Sequence, residues 1–194
     1  RGGIVGVSLA GKRRFVTTKW SPTVVAPSPV AVSDRSFFTC AGYGSGSVLV
    51  ELSKGQEELK AKIVQRYKPR EGFSLEQQSA IYVDGLLFGV LPKDAGSRRE
   101  RLACCSPRDL SKILAQSKDK FGLGPFIYAN GKFFVLSDDG ELFIFRFENQ
   151  KFTKLAAKKV LPGPDAWGPM ALVDGYLILR DANRAICLDV ANER

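Results

Sequence analysis

The sequence predicts an all-β fold built from a repeated four-strand unit, and two observations support this. Short apolar segments of strand-like composition alternate with tight turns along nearly all of the 194 residues. The turns also recur regularly: Gly85, Gly131 and Gly175 are 46 and 44 residues apart, and Arg35 holds the same place 50 residues before Gly85. A period of about 45 residues with four strands per unit is typical of the blades of a β-propeller.

The composition is that of a folded domain with many turns. Hydrophobic residues make up 44% of the chain and charged residues 25%, whereas a disordered chain is poorer in apolar residues. The 19 glycines and 10 prolines suit many short strands joined by turns. No apolar run approaches the length of a membrane span. The chain begins at Arg1 without a signal peptide, and we expect that processing or truncation removed an upstream segment.

The repeat divides the chain into five units. Three prolines between 21 and 29 exclude a central strand there and mark a connector. The clearest unit contains Asn130-Gly131 and Asp139-Gly140, which supply the positive φ that hairpin turns need. Its segment Glu141–Phe147 is apolar on both faces, which predicts a strand sandwiched between two sheets. Within a single partial propeller over 1–194, the predicted units are the end of a blade plus a linker (1–27), three blades (28–72, 73–121 and 122–164) and an incomplete last blade (165–194).

Two segments allow a second interpretation. Between Gln56 and Lys68, apolar residues fall at helical spacing but also on one face of a strand, and the repeat position favours an outer strand. Ser106-Pro107-Arg108-Asp109 has the pattern of a helix start with proline at the first position. In the repeat register, the same four residues form the turn before another outer strand.

The last unit reads as three strands separated by two turns. It runs from Trp167 to Asp189, with Asp174-Gly175 as its first turn, and it stops one strand short of a blade. Trp167 and the pair Arg180-Asp181 fall outside the repeat pattern. We expect these residues to brace the last blade.

Several short motifs resemble those of one repeat family. The chain lacks the histidine and Trp-Asp pair of WD-type repeats, and its Gly-Gly doublet is misplaced for a kelch repeat. The motifs it does carry are Ala26–Val30 with Ala41–Gly46, Val83–Gly89, Gly131–Leu142, Trp167–Ala171, and Arg180-Asp181 with Ile186–Asp189. Together they resemble the pyrroloquinoline-quinone-like repeat of quinoprotein alcohol dehydrogenase-like β-propellers, in particular the C-terminal half of such proteins.

This resemblance implies a ring of seven or eight blades, of which about four to five are represented here. It also implies a bacterial exported, periplasmic protein, with a protein partner or the remainder of its own polypeptide completing the ring. The chain departs from the family pattern where Leu114 stands near the place of the usual tryptophan, and where Glu76-Gln77-Gln78 replaces frequent histidines. The quinone cofactor and its calcium are expected only if this is part of a dehydrogenase whose active site lies in another segment.

Three motifs suggest chemistry, and each has a structural interpretation that we favour. Cys104-Cys105 resembles the vicinal disulfide of quinoprotein dehydrogenases, but it aligns with a core position of the last unit. Gly42–Ser47 is rich in glycine, but it lacks the spacing and the following helix of a phosphate loop. Asp138–Glu141 holds three carboxylates, which hairpin-turn chemistry explains. With no histidine in the chain, a Ser-His-Asp or Cys-His arrangement cannot be built.

The basic charge allows anionic partners, but along the sequence it is dispersed. The net charge is +9, and the clusters around Arg13, Arg99 and Lys158 are far apart. We therefore expect a solvated surface and do not expect nucleic-acid binding as the main function. The sequence favours a non-catalytic scaffold or protein-interaction domain. The first alternative is that the chain is part of a quinone-dependent dehydrogenase, and the second alternative is a nucleic-acid-binding module. We assign no catalytic, cofactor-binding or metal-binding residue.

Overall fold

The computed structural model describes residues 3–56 and 58–191, and the regular secondary structure of this part of the chain consists of antiparallel sheets and one 3₁₀ turn. A two-stranded sheet contains β1 (Ile4–Val7) and β2 (Arg13–Thr17). The first four-stranded sheet contains β3 (Val30–Ser33), β4 (Ser36–Ala41), β5 (Gly46–Lys54) and β6 (Leu59–Tyr67). The second contains β7 (Ile81–Val83), β8 (Leu86–Val90), β9 (Leu102–Ser106) and β10 (Asp109–Gln116). The third contains β11 (Phe126–Ala129), β12 (Lys132–Leu136), β13 (Glu141–Glu148) and β14 (Lys151–Lys159). The last contains β15 (Ala171–Val173), β16 (Tyr176–Arg180) and β17 (Ala185–Asp189).

The sheets are arranged as consecutive propeller blades. Within each sheet the strands pair in chain order, and the first strand is innermost. The outer strands contact one another in series, from β2 to β6, then β10, then β14, while the innermost β3 contacts β7. The predicted all-β fold of four-stranded blades is confirmed. A 3₁₀ turn, Gly96–Arg98, interrupts the loop between β8 and β9.

The hairpins between first and second strands have the predicted turn chemistry. Asp84 and Gly85 have φ of 49° and 76°, and Asn130 and Gly131 have φ of 47° and 72°. Positive φ at both central residues is the geometry that matches the twist of two paired strands. The sequence alone was therefore sufficient to place these hairpins.

Both ambiguous segments follow the repeat register. Leu59–Tyr67 is the outer strand β6, paired with β5 along its whole length. Pro107 and Arg108 form the turn between β9 and β10, so the helical interpretation of each segment is wrong. Pairing with a neighbouring strand satisfies every second backbone group, which outweighs a weak helical pattern.

The core lies between the sheets, and phenylalanines dominate it. Phe133 is buried, with ring centroids 4.7 Å from those of both Phe88 and Tyr128. On β13, Phe143 and Phe145 pack towards the preceding sheet, while Leu142 packs towards the last one. The prediction that Glu141–Phe147 is sandwiched between two sheets is confirmed for these residues.

A β-bulge recurs in the fourth strand of each complete sheet, and no sequence pattern predicted it. The pairing register skips Val64 in β6, Leu114 in β10 and Leu155 in β14. Val64 and Leu114 are half-buried against the core, whereas Leu155 is 44% exposed. A bulge adds one residue to the strand and increases the local twist, so the side chain of the extra residue points in a different direction.

The fold gathers charge that is dispersed along the sequence. Ten of the 29 basic residues and one of the 20 acidic residues lie on the outer strands β2, β6, β10 and β14. These four strands therefore hold a charge of +9, which equals the net charge of the whole chain. Some basic residues that are dispersed along the sequence thus lie on strands that are neighbours in space, whereas the cluster around Arg99 lies on a loop outside these strands.

Replacing Phe133 with alanine is expected to destabilise the fold by about 3–5 kcal/mol, since the change removes a buried ring and leaves a cavity. The midpoint of urea unfolding, followed by far-ultraviolet circular dichroism, measures the loss. Lys132→Ala, on the adjacent partly exposed position, should change the stability by about 0.5 kcal/mol or less. Equal effects of the two substitutions would contradict the assignment of the core.

Candidate functional site

The two ends of the blades differ in how their loops are built. One end, here called the connector end, contains the loops between second and third strands together with the connectors between sheets (68–80, 117–125 and 160–170). The other, here called the turn end, contains the short hairpin turns between first and second strands and between third and fourth strands. Each motif that suggested chemistry outside a strand lies at the connector end, so this end is the candidate site.

Asp138 ties its loop to both neighbouring connectors. Its carboxylate Oδ1 accepts a hydrogen bond from the Leu123 amide at 2.8 Å, and its backbone carbonyl accepts one from Ala166 at 3.0 Å. Burial raises the pKa of Asp138, against the lowering effect of the hydrogen bond from Leu123. The carboxylate predicted to serve a hairpin turn therefore also holds the connector that enters its sheet, and the backbone carbonyl of the same residue holds the connector that leaves it.

Asp181 plays the corresponding part in the last sheet. Its buried carboxylate accepts hydrogen bonds from the amides of Asn183 at 2.8 Å, Arg184 at 2.9 Å and Gly163 at 3.2 Å. The hydrogen bond from the Asn183 amide lowers the pKa of Asp181, and the amides of Arg184 and Gly163 add to the effect. The expectation that Asp181 braces the last blade is confirmed.

Gly163 allows the connector to approach the preceding loop. Its φ is 72°, and a Cβ atom at this position would lie 2.6 Å from the Asp139 carbonyl oxygen. Any larger residue would therefore separate the connector from the loop that contains Asp138 and Asp139. The close approach keeps adjacent loops at the connector end in one arrangement.

The glycine-rich segment Gly42–Ser47 is held by the same kind of contact. The Gly44 amide donates to Asp94 Oδ2 at 2.8 Å, and the Lys68 ammonium donates to the Gly44 carbonyl at 3.1 Å. The segment runs from the loop after β4 into β5, as predicted for a loop that joins two blade strands. The Gly44 amide, which a bound phosphate would need as a donor, thus donates its hydrogen bond to a carboxylate of the neighbouring sheet.

The aspartates that make these contacts lie in the corresponding loops of their sheets. Asp94, Asp138 and Asp181 each follow closely after the second strand of their sheets. In the sequence, turn chemistry explains Asp138, Asp181 falls outside the repeat pattern, and nothing singles out Asp94. The three aspartates lie four, two and one residues after their second strands, so no single repeat position marks them, and their partner amides are visible only in the structure.

Cys104 and Cys105 are buried in β9, the third strand of its sheet and two strands away from the innermost β7. Both are free thiols, as is the buried Cys40. Burial raises the pKa of Cys104 to about 11 and that of Cys40 to about 12, and it raises the pKa of Cys105 further. The Cys104-Cys105 pair therefore does not lie beside a group held at the ring axis, where the resemblance would place the quinone.

Aromatic side chains remain exposed at the connector end. Tyr43, at φ of 54° in the glycine-rich loop, is 77% exposed. Trp167 is 37% exposed, with its indole Nε1 donating to Asp165 at 3.3 Å and its carbonyl accepting from the Gln78 side chain at 3.2 Å. The contact between Gln78 and Trp167 joins connectors that are separated by two sheets.

The acidic and cysteine side chains of the described residues do not gather into a larger cluster. Residues 3–56 and 58–191 contain no group of three or more acidic or cysteine side chains that could hold a metal ion. Of the clustered carboxylates Asp138 and Asp139, Asp138 already accepts a hydrogen bond from the Leu123 amide. In the described part of the chain, no helix is long and apolar enough to span a membrane.

Comparisons with known proteins support the fold. No family model and no curated protein matches the chain. It is similar to the crystal structure of BamB from Moraxella catarrhalis, with 13% identity over 96% of this chain and 66% of that chain and a TM-score of 0.47. It is also similar to apo AztD from Citrobacter koseri (14% identity, 98% of this chain, 51% of that chain, TM-score 0.54) and to a second AztD structure from the same organism (15%, 98%, 50%, TM-score 0.52).

The likeness to AztD shows a β-propeller fold, and at this identity it shows the fold alone. The chain spans about half the length of the AztD structures and about two-thirds of the BamB chain. What the whole protein does is therefore a matter for proposal.

Asp181→Asn is expected to weaken the acid dependence of stability. Because the folded pKa of Asp181 is lowered, its ionised form stabilises the fold above the unfolded value of 3.8, and this stabilisation is lost as the pH falls through the folded pKa. An amide cannot ionise, so urea midpoints of the variant should be lower at neutral pH and fall less on acidification. Asp174→Asn, at an exposed turn, is the matched control. Parallel curves for wild type and Asp181→Asn would contradict the bracing role.

Cys187 is expected to be the fast-reacting thiol of the native protein, since it is exposed while Cys40, Cys104 and Cys105 are buried. A thiol must ionise to react, and burial opposes this in the other three. Labelling with a chromogenic disulfide at mild alkaline pH should modify one thiol rapidly and the other three only in denaturant. Cys187→Ser should abolish the fast phase. A fast phase from Cys104 or Cys105 would contradict their structural role.

Proposed function

We propose that this chain is the propeller part of a non-catalytic scaffold that binds a protein partner. One observation carries the proposal: at the connector end, the groups that first suggested chemistry are used to join neighbouring sheets. Asp94 occupies the amide of the glycine-rich loop, and Asp138 and Asp181 hold the connectors. Such contacts give a rigid platform and leave exposed side chains in fixed positions.

The exposed aromatic residues of this platform suit a protein interface. Tyrosine and tryptophan are enriched among the residues that contribute most to protein association. Tyr43 and Trp167 both stand on braced segments, so little conformational entropy would be lost when they are covered. We therefore place the partner site at the connector end, around these two residues.

The two ends of the sheet series support the proposal that more blades complete the ring. The outward face of the last sheet exposes Val173, Tyr176 and Ile178, and the first sheet exposes Val5 and Val7. A blade buries both of its faces only when it has neighbours on both sides. We propose that the remainder of the polypeptide, or a partner chain, covers these faces in the whole protein.

The narrower parts of the proposal rest on the sequence resemblance. We propose that the protein is an exported, periplasmic member of the quinoprotein-like propellers, and its likeness to other bacterial propellers is in keeping with this. The alternative is part of a quinone-dependent dehydrogenase, with its active site in another segment. The described residues favour the scaffold, because Cys104 and Cys105 lie in the core, away from the ring axis.

Site-specific photocrosslinking of the full-length protein in its host is expected to trap a protein at the connector end. A photoreactive phenylalanine in place of Tyr43 or Trp167 should give a discrete adduct, because both side chains are exposed on the braced platform. The same residue in place of Asn130, at the turn end, is the matched control.

Two results would overturn the scaffold. Equal adducts from the photoreactive residue at positions 43 and 130 would contradict the assignment of the partner site to the connector end. Oxidation of an alcohol, measured with an artificial electron acceptor after addition of pyrroloquinoline quinone and calcium, would establish the dehydrogenase instead.

A further inference from the structure

The outer strands form a basic surface that the proposed scaffold function does not use. We call it the basic rim, and it comprises the ten basic side chains of β2, β6, β10 and β14: Arg13, Arg14, Lys60, Lys62, Arg66, Lys112, Lys151, Lys154, Lys158 and Lys159. All ten are exposed. Because consecutive outer strands touch, these side chains follow the outer wall of the blades from one sheet to the next.

Few of these charges are neutralised locally. Within 3–56 and 58–191, ion pairs shorter than 4 Å engage two members of the rim: Arg13 with Glu58 at 3.3 Å, and Lys154 with Asp119 at 2.9 Å. Exposed pairs of this kind are weak. Glutamates of the third strands lie opposite three rim lysines (Glu51 opposite Lys62, Glu141 opposite Lys159 and Glu148 opposite Lys151), so the wall carries an excess of basic charge, and the rest of the chain contributes no net charge.

Protection of sheet edges explains why the rim is charged but not why it is basic. Charged side chains on an edge strand prevent edge-to-edge pairing with another sheet, and lysine is common in this role. Either sign of charge would serve that purpose. The four strands hold ten basic residues and Asp109 as their one acidic residue, in a chain with 20 acidic residues in total. The uniform sign indicates an anionic partner.

The shape of the rim favours lipid over the other polyanions. The rim is the outer side of an arc of blades, and its cleft between β10 and β14, which Lys151 and Lys154 line, has a volume of about 570 Å³ and is too small for a duplex. Single-stranded nucleic acid stacks its bases on exposed aromatic side chains, whereas on these strands Phe15 is buried and Tyr67 and Phe152 are partly buried. Lipid headgroups diffuse in the plane of the membrane and can meet lysines that are held at irregular spacing.

We propose that the basic rim is a docking surface for an anionic lipid membrane. Lysine and arginine side chains contact the phosphate groups. The surface is distinct from the connector end, so the scaffold can hold a protein partner and a membrane together.

Vesicle co-sedimentation of the full-length protein tests the rim. Binding is expected to vesicles of phosphatidylcholine with phosphatidylglycerol and not to phosphatidylcholine alone, and it should weaken steeply as salt is added. The rim variant combines Lys60→Gln, Lys62→Gln, Lys151→Gln and Lys158→Gln, and it should bind at least about tenfold more weakly.

The matched control removes the same charge from the connector end. It combines Arg70→Gln, Lys93→Gln, Arg99→Gln and Arg184→Gln, all at exposed positions, and it should bind like the wild type. Unfolding midpoints of both variants verify that they are folded. An equal loss in rim and control variants, or binding to oligonucleotides or polyglutamate but not to anionic vesicles, would overturn the proposal. Neither result bears on the photocrosslinks at Tyr43.

Discussion

Burial of both faces of every blade is the constraint on which the rest of the structure depends. On β13, Phe143 and Phe145 pack against the preceding sheet while Leu142 packs against the following one. A strand of this kind has no face for solvent, so the sheet that contains it is stable only between two neighbours. The exposed Val173 and Tyr176 of the last sheet show the same constraint where the series of described sheets stops.

Apolar packing alone does not set the position of one blade relative to the next. Aspartates at the connector end add directional hydrogen bonds that do. A carboxylate that accepts backbone amides from an adjacent connector is directional, whereas apolar contact between two sheets is not. Asp138 and Asp181 each join their own loop to the connector that precedes their sheet. These residues resemble functional groups in the sequence because chemistry and bracing use the same polar side chains.

The distribution of charge has a different origin from the packing. Basic residues lie on the outermost strand of each repeat unit. Each outer strand is far from the next in sequence, about one period away, but contacts it in space. Residues that are dispersed in the sequence therefore become a single surface. The bulge that exposes Leu155 repeats in the same way, although Val64 and Leu114 are half-buried at the equivalent positions because a following sheet partly covers them.

The sequence by itself determined the strands, the hairpins and the blade pattern, because these depend on local properties. Asn130-Gly131 adopts positive φ whatever surrounds it, and alternating apolar residues mark a strand without knowledge of its neighbours. Only the tertiary structure decided which groups meet. The contact of Asp94 with Gly44, and the gathering of the whole net charge on four outer strands, depend on distances between residues about one repeat apart. No local pattern contains those distances, because they arise when the sheets stack.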